Sequence, residues 1–284
     1  MTTTMERMLP LYEAKMIHQF DHRWATYDAG STRTPTIGEK QSDEFEVLPN
    51  NWVSEEEVVK ALETAKVPDS ESALGLRGIT NSTNERTIIS SLTARVGAGN
   101  SCPRITVRNG LPDLLSAILN SFALDFAARP KVGGSNLNFF IAYQLPVLAP
   151  ETLKVACPWD MNSPVERWLK LRTDELVLTS RSVAGPVSPY RWTTERRTQL
   201  RAELDAAFFR LYGFLRDEVE YAMDTFPIVA RNDEVEFGEY RTKRLILEAF
   251  DAMQTAIDSG VPFESTLNPP PGQGPRHPAK DMSA

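Results

Sequence analysis

The chain changes character near residue 150, and this change limits its fold more than any other feature of the sequence. Before that point, short runs rich in β-branched and aromatic residues alternate with turn residues, which is typical of a meandering sheet. After it come segments that favour helix, at 160–180, 192–213, 217–224 and 238–259. We therefore predict an α+β fold, with a mixed-sheet domain and packed helices over 1–150 and a mainly helical subdomain over 151–259. The Pro- and Gly-rich residues 260–284 are expected to form a disordered tail.

Within the first part, several elements are marked individually. Ser54 precedes three glutamates and an amphipathic run, so a capped helix is predicted from there to about Lys66. Apolar residues at helical spacing predict a buried helix over 111–129. The apolar run that closes 131–150 is predicted to lie at a sheet edge, because Pro146 and Pro150 cannot donate to a ladder. Strands are predicted within 10–27, 74–80, 86–96 and 103–108.

Charge is distributed unevenly along the chain. The formal net charge of −7 argues against indiscriminate binding to nucleic acid. Residues 71–150, with seven basic and four acidic side chains, form the only basic stretch. The sequence shows neither a basic segment followed by an apolar run at its start nor about eighteen uninterrupted apolar residues elsewhere. We therefore expect a cytoplasmic protein that makes no membrane contact.

The densest group of chemically active residues is MIHQFDHRWATY, residues 16–27. Two histidines and an aspartate, at 18, 21 and 22, suggest a metal site. On a strand, however, Asp21 would point away from both histidines, and the metallo-hydrolase pattern HxHxDH lacks its earlier histidines. A polar strand that faces the surface or a ligand fits better.

Catalytic motifs are not recognised elsewhere. Asn-Pro-Pro at 268–270 begins like the catalytic motif of adenine-specific DNA methyltransferases, but Pro271 stands where an aromatic residue would stack on the flipped base. Neither RVGAGN nor KVGGSN fits the GxGxxG fingerprint. Cys102 and Cys157 lie far apart and outside any CxxC pair. We therefore predict no catalytic residue, cofactor site or metal site in this chain.

Arginines and asparagines alternate through the basic stretch. These side chains can pair bidentately with guanine and adenine edges, and arginine and lysine also hold phosphates. The pattern is compatible with DNA recognition and also with an ordinary solvated sheet surface.

Four blocks in sequence carry a resemblance to a known family: LPLYEAKMIHQFDHRWATY, LGLRGITNSTNERTIISSLTARVGAGNSCP, LLSAILNSFALDFAARPKVGGSNLNFFIAYQLPVLAP and RTQLRAELDAAFFRLYGF with its continuation to residue 253. Together they resemble the C-terminal part of type IIG and type ISP-like restriction-modification methylases and of related phage-defence adenine methylases. The third block is also similar to the recognition domains of type I specificity subunits.

The resemblance implies a DNA target-recognition role. In that family an N-terminal domain binds S-adenosylmethionine and methylates adenine, and a C-terminal domain reads the DNA sequence. This chain resembles only the recognition portion and lacks the methyltransferase motifs. The implied partners are double-stranded DNA and a separate catalytic subunit or domain, which would hold S-adenosylmethionine.

The resemblance and the basic stretch together indicate ten candidate DNA-binding residues. The first block is expected to line the DNA-facing side, and later arginines to meet phosphates or bases. The candidates are Lys15, His18, Gln19, His22, Arg23, Arg77, Arg86, Lys131, Asn136 and Asn138. Two alternatives remain open: a protein-interaction subunit of a defence complex with no DNA affinity of its own, and a nonfunctional remnant of a disrupted gene.

Overall fold

A computed structural model describes residues 6–67, 73–107 and 111–279 of the chain. The strands in these ranges are short: β1 (Met8–Tyr12), β2 (Thr26–Asp28), β3 (Ser31–Arg33), β4 (Trp52–Ser54), β5 (Ala73–Leu76), β6 (Ser90–Thr93), β7 (Gly97–Ala98), β8 (Arg104–Ile105), β9 (Ala156–Cys157) and β10 (Asp160–Pro164). Strand β1 pairs antiparallel with β4 and parallel with β7, whereas β5 pairs antiparallel with both β6 and β8. Two antiparallel pairs, β2–β3 and β9–β10, complete the described sheets.

Helices dominate the second half. They are α1 (Ile37–Gln41), α2 (Glu55–Thr64), α3 (Pro112–Asn120), α4 (Phe122–Ala128), α5 (Phe139–Ala142), α6 (Pro150–Lys154), α7 (Val165–Val177), α8 (Arg181–Ala184), α9 (Thr194–Leu211), α10 (Arg216–Asp224), α11 (Pro227–Phe237) and α12 (Arg241–Ser259). Short 3₁₀ helices occupy Ala14–Met16 and Arg129–Lys131. Helices combined with several small mixed sheets confirm the predicted α+β class.

A single large hydrophobic cluster extends across residue 150. From the first half it includes Leu74 and Phe122, and from the helical half Trp168 and Phe208, all of them buried. Burial of apolar surface is the dominant favourable contribution to the folding of a domain. The division into two subdomains therefore stays a prediction from composition, and the two parts share one core.

The predicted helix over 111–129 is divided at Ser121. The Ser121 side chain accepts a hydrogen bond from the backbone N–H of Leu124 at 3.2 Å and so caps α4. The carboxylate of Asp205 on α9 accepts from the N–H of Phe122 at 2.8 Å. Both acceptors satisfy donors that a helix N-terminus leaves unpaired, which favours a new helix start at this point.

The apolar run after Asn138 was predicted to lie at the edge of a sheet, but the structure does not place it in a strand. It forms the short helix α5, and the next helix, α6, begins at Pro150. The backbone carbonyl of Asn138 accepts hydrogen bonds from Ile141 and Ala142, each at 3.0 Å. A proline at the first position of a helix loses no hydrogen bond, so Pro150 is compatible with a helix start.

The C-terminal segment is ordered where the structure describes it, through residue 279, in contrast to the predicted disorder of 260–284. Arg196 and Glu175 form a buried ion pair at 2.6 Å. Arg196 also donates to the carbonyls of Pro269 and Pro270, and Glu175 accepts from the N–H groups of Gly272 and Gly274. The prediction of disorder rested on composition alone. Composition cannot show that an ion pair from a distant part of the chain supplies hydrogen-bond partners to this proline-rich backbone. Residues 280–284 lie outside the described ranges.

We expect Glu175→Ala to detach this segment locally. The change removes the acceptor for two backbone N–H groups. It also leaves Arg196 without its carboxylate partner, and a buried cation without such a partner is strongly destabilising. Hydrogen exchange followed by mass spectrometry should show faster exchange in peptides that cover 270–277. Glu151→Ala, on the exposed surface of α6, is the matched control and should leave those peptides unchanged. Equal protection in Glu175→Ala and wild type would contradict this account.

Candidate functional site

Residues 18–21 form a tight turn between β1 and β2, where a polar strand was predicted. His18 and Asp21 exchange backbone hydrogen bonds at 2.8 and 3.0 Å, and Phe20 takes a positive φ of 59°. The Phe20 side chain is buried in the main core. Because a turn does not alternate faces as a strand does, the side chains of His18 and His22 need not share a face.

Arg23 is fully buried and is used inside the protein. Its guanidinium donates to the backbone carbonyls of Lys40, Ser42 and Phe45, at 3.0, 2.7 and 3.2 Å, and to that of Thr179 at 3.0 Å. It therefore joins the end of α1 and the loop that follows to the helical half of the chain. A guanidinium enclosed in this way is not available to a phosphate.

Both histidines of the block are held neutral. Burial lowers the pKa of His22 to about 3, and the nearby charge of Arg23 acts in the same direction. The ring Nε2 of His22 lies 2.8 Å from the Ser180 hydroxyl. His18 stacks on Trp24 with ring centroids 4.2 Å apart, and burial, then the charge of Arg77, lowers its pKa to about 3. Neither histidine can serve as a cation at neutral pH.

Arg86 and Gln19 belong to a second buried network. The Nε of Arg86 donates to Asp125 at 2.8 Å and its Nη2 to the carbonyl of Asn120 at 2.7 Å. Gln19 donates to the same carbonyl at 2.9 Å and accepts from Arg86 at 3.3 Å. The guanidinium of Arg86 also lies 3.8 Å from the ring centroid of Phe122. These contacts join the turn, the segment before β6, α3 and α4.

The remaining basic candidates differ in how accessible they are. Arg77 is half-buried and donates to the carbonyls of Ala14 and Ile17 at 3.0 and 2.7 Å. Lys15 is exposed, 3.8 Å from a carboxylate oxygen of Glu13. Lys131 is exposed at the end of its 3₁₀ helix.

Asn136 and Asn138, the two asparagine candidates, line one groove. Three loops lie side by side there, held by hydrogen bonds from the Gly78 N–H to the Ser101 carbonyl at 2.9 Å and from the Leu137 N–H to the Gly78 carbonyl at 2.8 Å. The loops enclose a volume of about 220 Å³, which we call the amide groove. Its lining is Gly78, Ile79, Asn100, Ser101, Pro103, Asn136, Leu137, Asn138 and Phe139.

Close backbone packing shapes the floor of the amide groove. At Gly78, a Cβ would lie 3.1 Å from the Ser101 carbonyl oxygen and 3.2 Å from Cδ of Pro103, closer than ordinary van der Waals contact. Glycine therefore lets the two loops approach each other. The lining contains no titratable side chain, so the groove is suited to binding rather than to acid–base chemistry.

The segments that build the amide groove are poor in acidic residues. The chain has 38 Asp and Glu residues, yet none lies within 86–112 or 126–150, and Glu85 is the only one within 73–112. Asn136 and Asn138 are exposed, and so is Asn100 from the facing loop. The groove therefore presents amides that can form hydrogen bonds. Because the segments that carry them have few negative charges, they would repel a polyanion only weakly.

A second polar cavity, also of about 220 Å³, lies between α9, α11 and α12. Arg201 lines it and donates to Gln19 at 3.1 Å, and Asp205 lines it one helical turn further on. Burial raises the pKa of the Asp205 carboxyl to about 6. Neither residue was predicted as a site residue, because a charged pair on a long helix ordinarily belongs to a solvated face.

The ten candidates therefore separate into three groups. Gln19, His22, Arg23 and Arg86 are buried and contact other parts of the same chain, and His18 and Arg77 are partly buried. Exposed side chains are Lys15, Lys131, Asn136 and Asn138, of which the structure brings the two asparagines together. Within the described residues, no group of three or more His, Cys, Asp or Glu side chains could hold a metal ion.

We expect Arg86→Ala to lower the free energy of unfolding by about 3–5 kcal/mol, because it leaves Asp125 buried without its closest cation. Urea unfolding followed by circular dichroism measures this change. Arg33→Ala, which breaks the exposed pair with Glu39, is the control and should have a much smaller effect. Equal stability of Arg86→Ala and wild type would refute a structural role for this network.

Because burial keeps His22 neutral in the folded protein, we expect the free energy of unfolding to fall in mild acid. Its pKa is 6.5 when unperturbed but about 3 in the folded protein, so unfolding takes up a proton between these values. The contribution to stability is complete above the higher pKa and is lost as the pH falls towards the lower one. At about pH 5 the loss from this residue is about 2 kcal/mol.

The matched variant is His22→Gln, which cannot titrate. Urea unfolding at about pH 7.5 and about pH 5 should show a smaller pH-dependent loss in the variant, by about 2 kcal/mol. Comparing the two proteins cancels the contribution of other groups, including Asp205, whose raised pKa acts in the opposite direction. An identical pH dependence in both proteins would show that His22 is not held neutral.

Comparison with protein-family models gives no match, and comparisons with curated proteins and with solved structures likewise give none. In the described part of the chain, none of the helices is both long enough and apolar enough to cross a membrane.

Proposed function

We propose that this chain is the DNA sequence-recognition part of an adenine-specific DNA methyltransferase, in a restriction-modification or phage-defence system. It acts with a separate catalytic domain, which holds S-adenosylmethionine. The observation that carries the proposal is the amide groove, where exposed asparagines from facing loops lie on segments without carboxylates. The ordered sequence blocks that resemble recognition domains support the same role.

The chemistry of the groove fits a DNA base edge. An asparagine amide offers a donor and an acceptor side by side, which matches the N6 and N7 positions of adenine in the major groove. Asn136 and Asn138 are both exposed and can present this pair. Lys131 and Lys15 are exposed cations on the same half of the chain, and their role in the proposal is to contact phosphates.

The buried candidates have a different role in this proposal. Arg86, Gln19 and Arg23 bind partners inside the protein and do not touch DNA. Arg77 ties the 3₁₀ helix at Ala14–Met16 to the strand end that leads into Gly78. Rigid support of this kind keeps recognition side chains in place before binding.

A protein-interaction subunit is the second candidate function. It is favoured by the internal use of Arg23 and Arg86, which leaves fewer cations for DNA. An apolar groove of about 520 Å³ between α3 and α6 also offers a surface for a partner. Its apolar lining includes Leu111, Leu115, Val147, Leu148 and Leu153.

The test is selection from a degenerate DNA duplex pool by the purified chain, with anisotropy measurements at low and moderate salt. We expect a short motif to be enriched and the affinity to fall steeply with salt. The double variant Asn136→Ala/Asn138→Ala should weaken binding to that motif by about 1–3 kcal/mol for each bidentate amide–base pair that it removes. The salt dependence of DNA binding by this variant should equal that of wild type, because a neutral amide releases no counterions from DNA when it binds.

Two further variants separate base reading from phosphate binding. Lys131→Ala should weaken binding to all sequences similarly and reduce the salt slope by about 1. Asn162→Ala, at an exposed position on β10, is the matched control and should behave like wild type. Absence of DNA binding at both salt concentrations would overturn the proposal and favour the protein-interaction alternative.

A further inference from the structure

Helix α5 and the residue after it expose three large aromatic side chains beside the amide groove. Phe139, Phe140 and Tyr143 are 65%, 63% and 86% exposed. Phe139 is itself part of the groove lining. Exposed apolar groups that cluster in this way usually mark a binding surface, whereas isolated ones need no explanation.

The exposure follows from how α5 is anchored. Ile141 is buried in the main core and fixes one side of this four-residue helix. The two phenylalanines before it and Tyr143 after it remain on the outside. Among the described residues, none of the three rings pairs with another aromatic ring. Their faces are therefore available to a planar ligand.

The composition of the segment that carries these rings favours nucleic-acid bases as that ligand. Residues 126–150 contain α5 and the exposed Lys131 but no Asp or Glu, in a chain of net charge −7. The neighbouring groove offers amides, which pair with base edges. A segment that combines ring faces and amides without a carboxylate matches both the polyanionic backbone and the planar bases of DNA.

We propose that Phe139, Phe140 and Tyr143 stack on unstacked bases of DNA held at the amide groove, so that binding distorts the duplex locally. The proposal rests on the DNA-recognition function proposed above. Stacking of a base on an aromatic side chain is comparable in free energy to the cost of unstacking a base step. The aromatic rings therefore stabilise a distorted duplex that would otherwise be too rare to bind.

The test compares a matched DNA duplex with a duplex of the same sequence that contains two adjacent adenine–adenine mismatches. Because the mismatched bases are already partly unstacked, the full chain should bind this duplex more tightly, by about tenfold. Tyr143→Leu and the double variant Phe139→Leu/Phe140→Leu keep apolar side chains but lose the ring faces. Both should lose most of that preference while retaining measurable binding to the matched duplex.

Tyr221→Leu is the matched control, because Tyr221 is also largely exposed but lies on α10. It should keep the wild-type preference, and thermal unfolding should confirm that all variants fold. Equal binding of both duplexes by wild type, or an unchanged preference in the leucine variants, overturns the stacking proposal alone. Absence of binding to either duplex overturns the DNA-recognition proposal as well.

Discussion

The ion pair between Arg86 and Asp125 is the interaction on which the arrangement of the first half depends. Both side chains are buried, and the pair connects the segment before β6 with α4. Charges removed from water need hydrogen-bond partners, and here the Thr87 N–H, Gln19 and the Asn120 carbonyl supply them. A network with so many specific partners favours one arrangement of these segments.

Elements were predictable from sequence where local chemistry decides the structure. The helix after Ser54 is confirmed, and Ser54 accepts from the Glu57 N–H as a cap should. The helices predicted at 192–213 and 238–259 are likewise present as α9 and α12. Predictions failed where distant partners decide. The side chain of Asp205 helps to start α4, and the ion pair of Glu175 orders the C-terminal segment.

The candidate site shows the same limit. Arginine, histidine and glutamine occur both on DNA-facing surfaces and in buried networks, so the sequence could not show that Arg23 and His22 are buried. The asparagines at 136 and 138 are exposed, and their role in DNA binding stays a prediction. Their meeting with Asn100, however, depends on the pairing of three loops distant in sequence. No local sequence pattern predicts how these three loops pair.

The separation between the buried network and the amide groove has a consequence for how specificity can evolve. Arg23 and Arg86 stabilise segments from distant parts of the chain, whereas Asn136 and Asn138 stand on a loop with their side chains outside the core. Substitutions at the loop positions can therefore accumulate without loss of folding. Under the proposed DNA-recognition function, such a scaffold can acquire new targets through substitutions in its loops while selection preserves its interior.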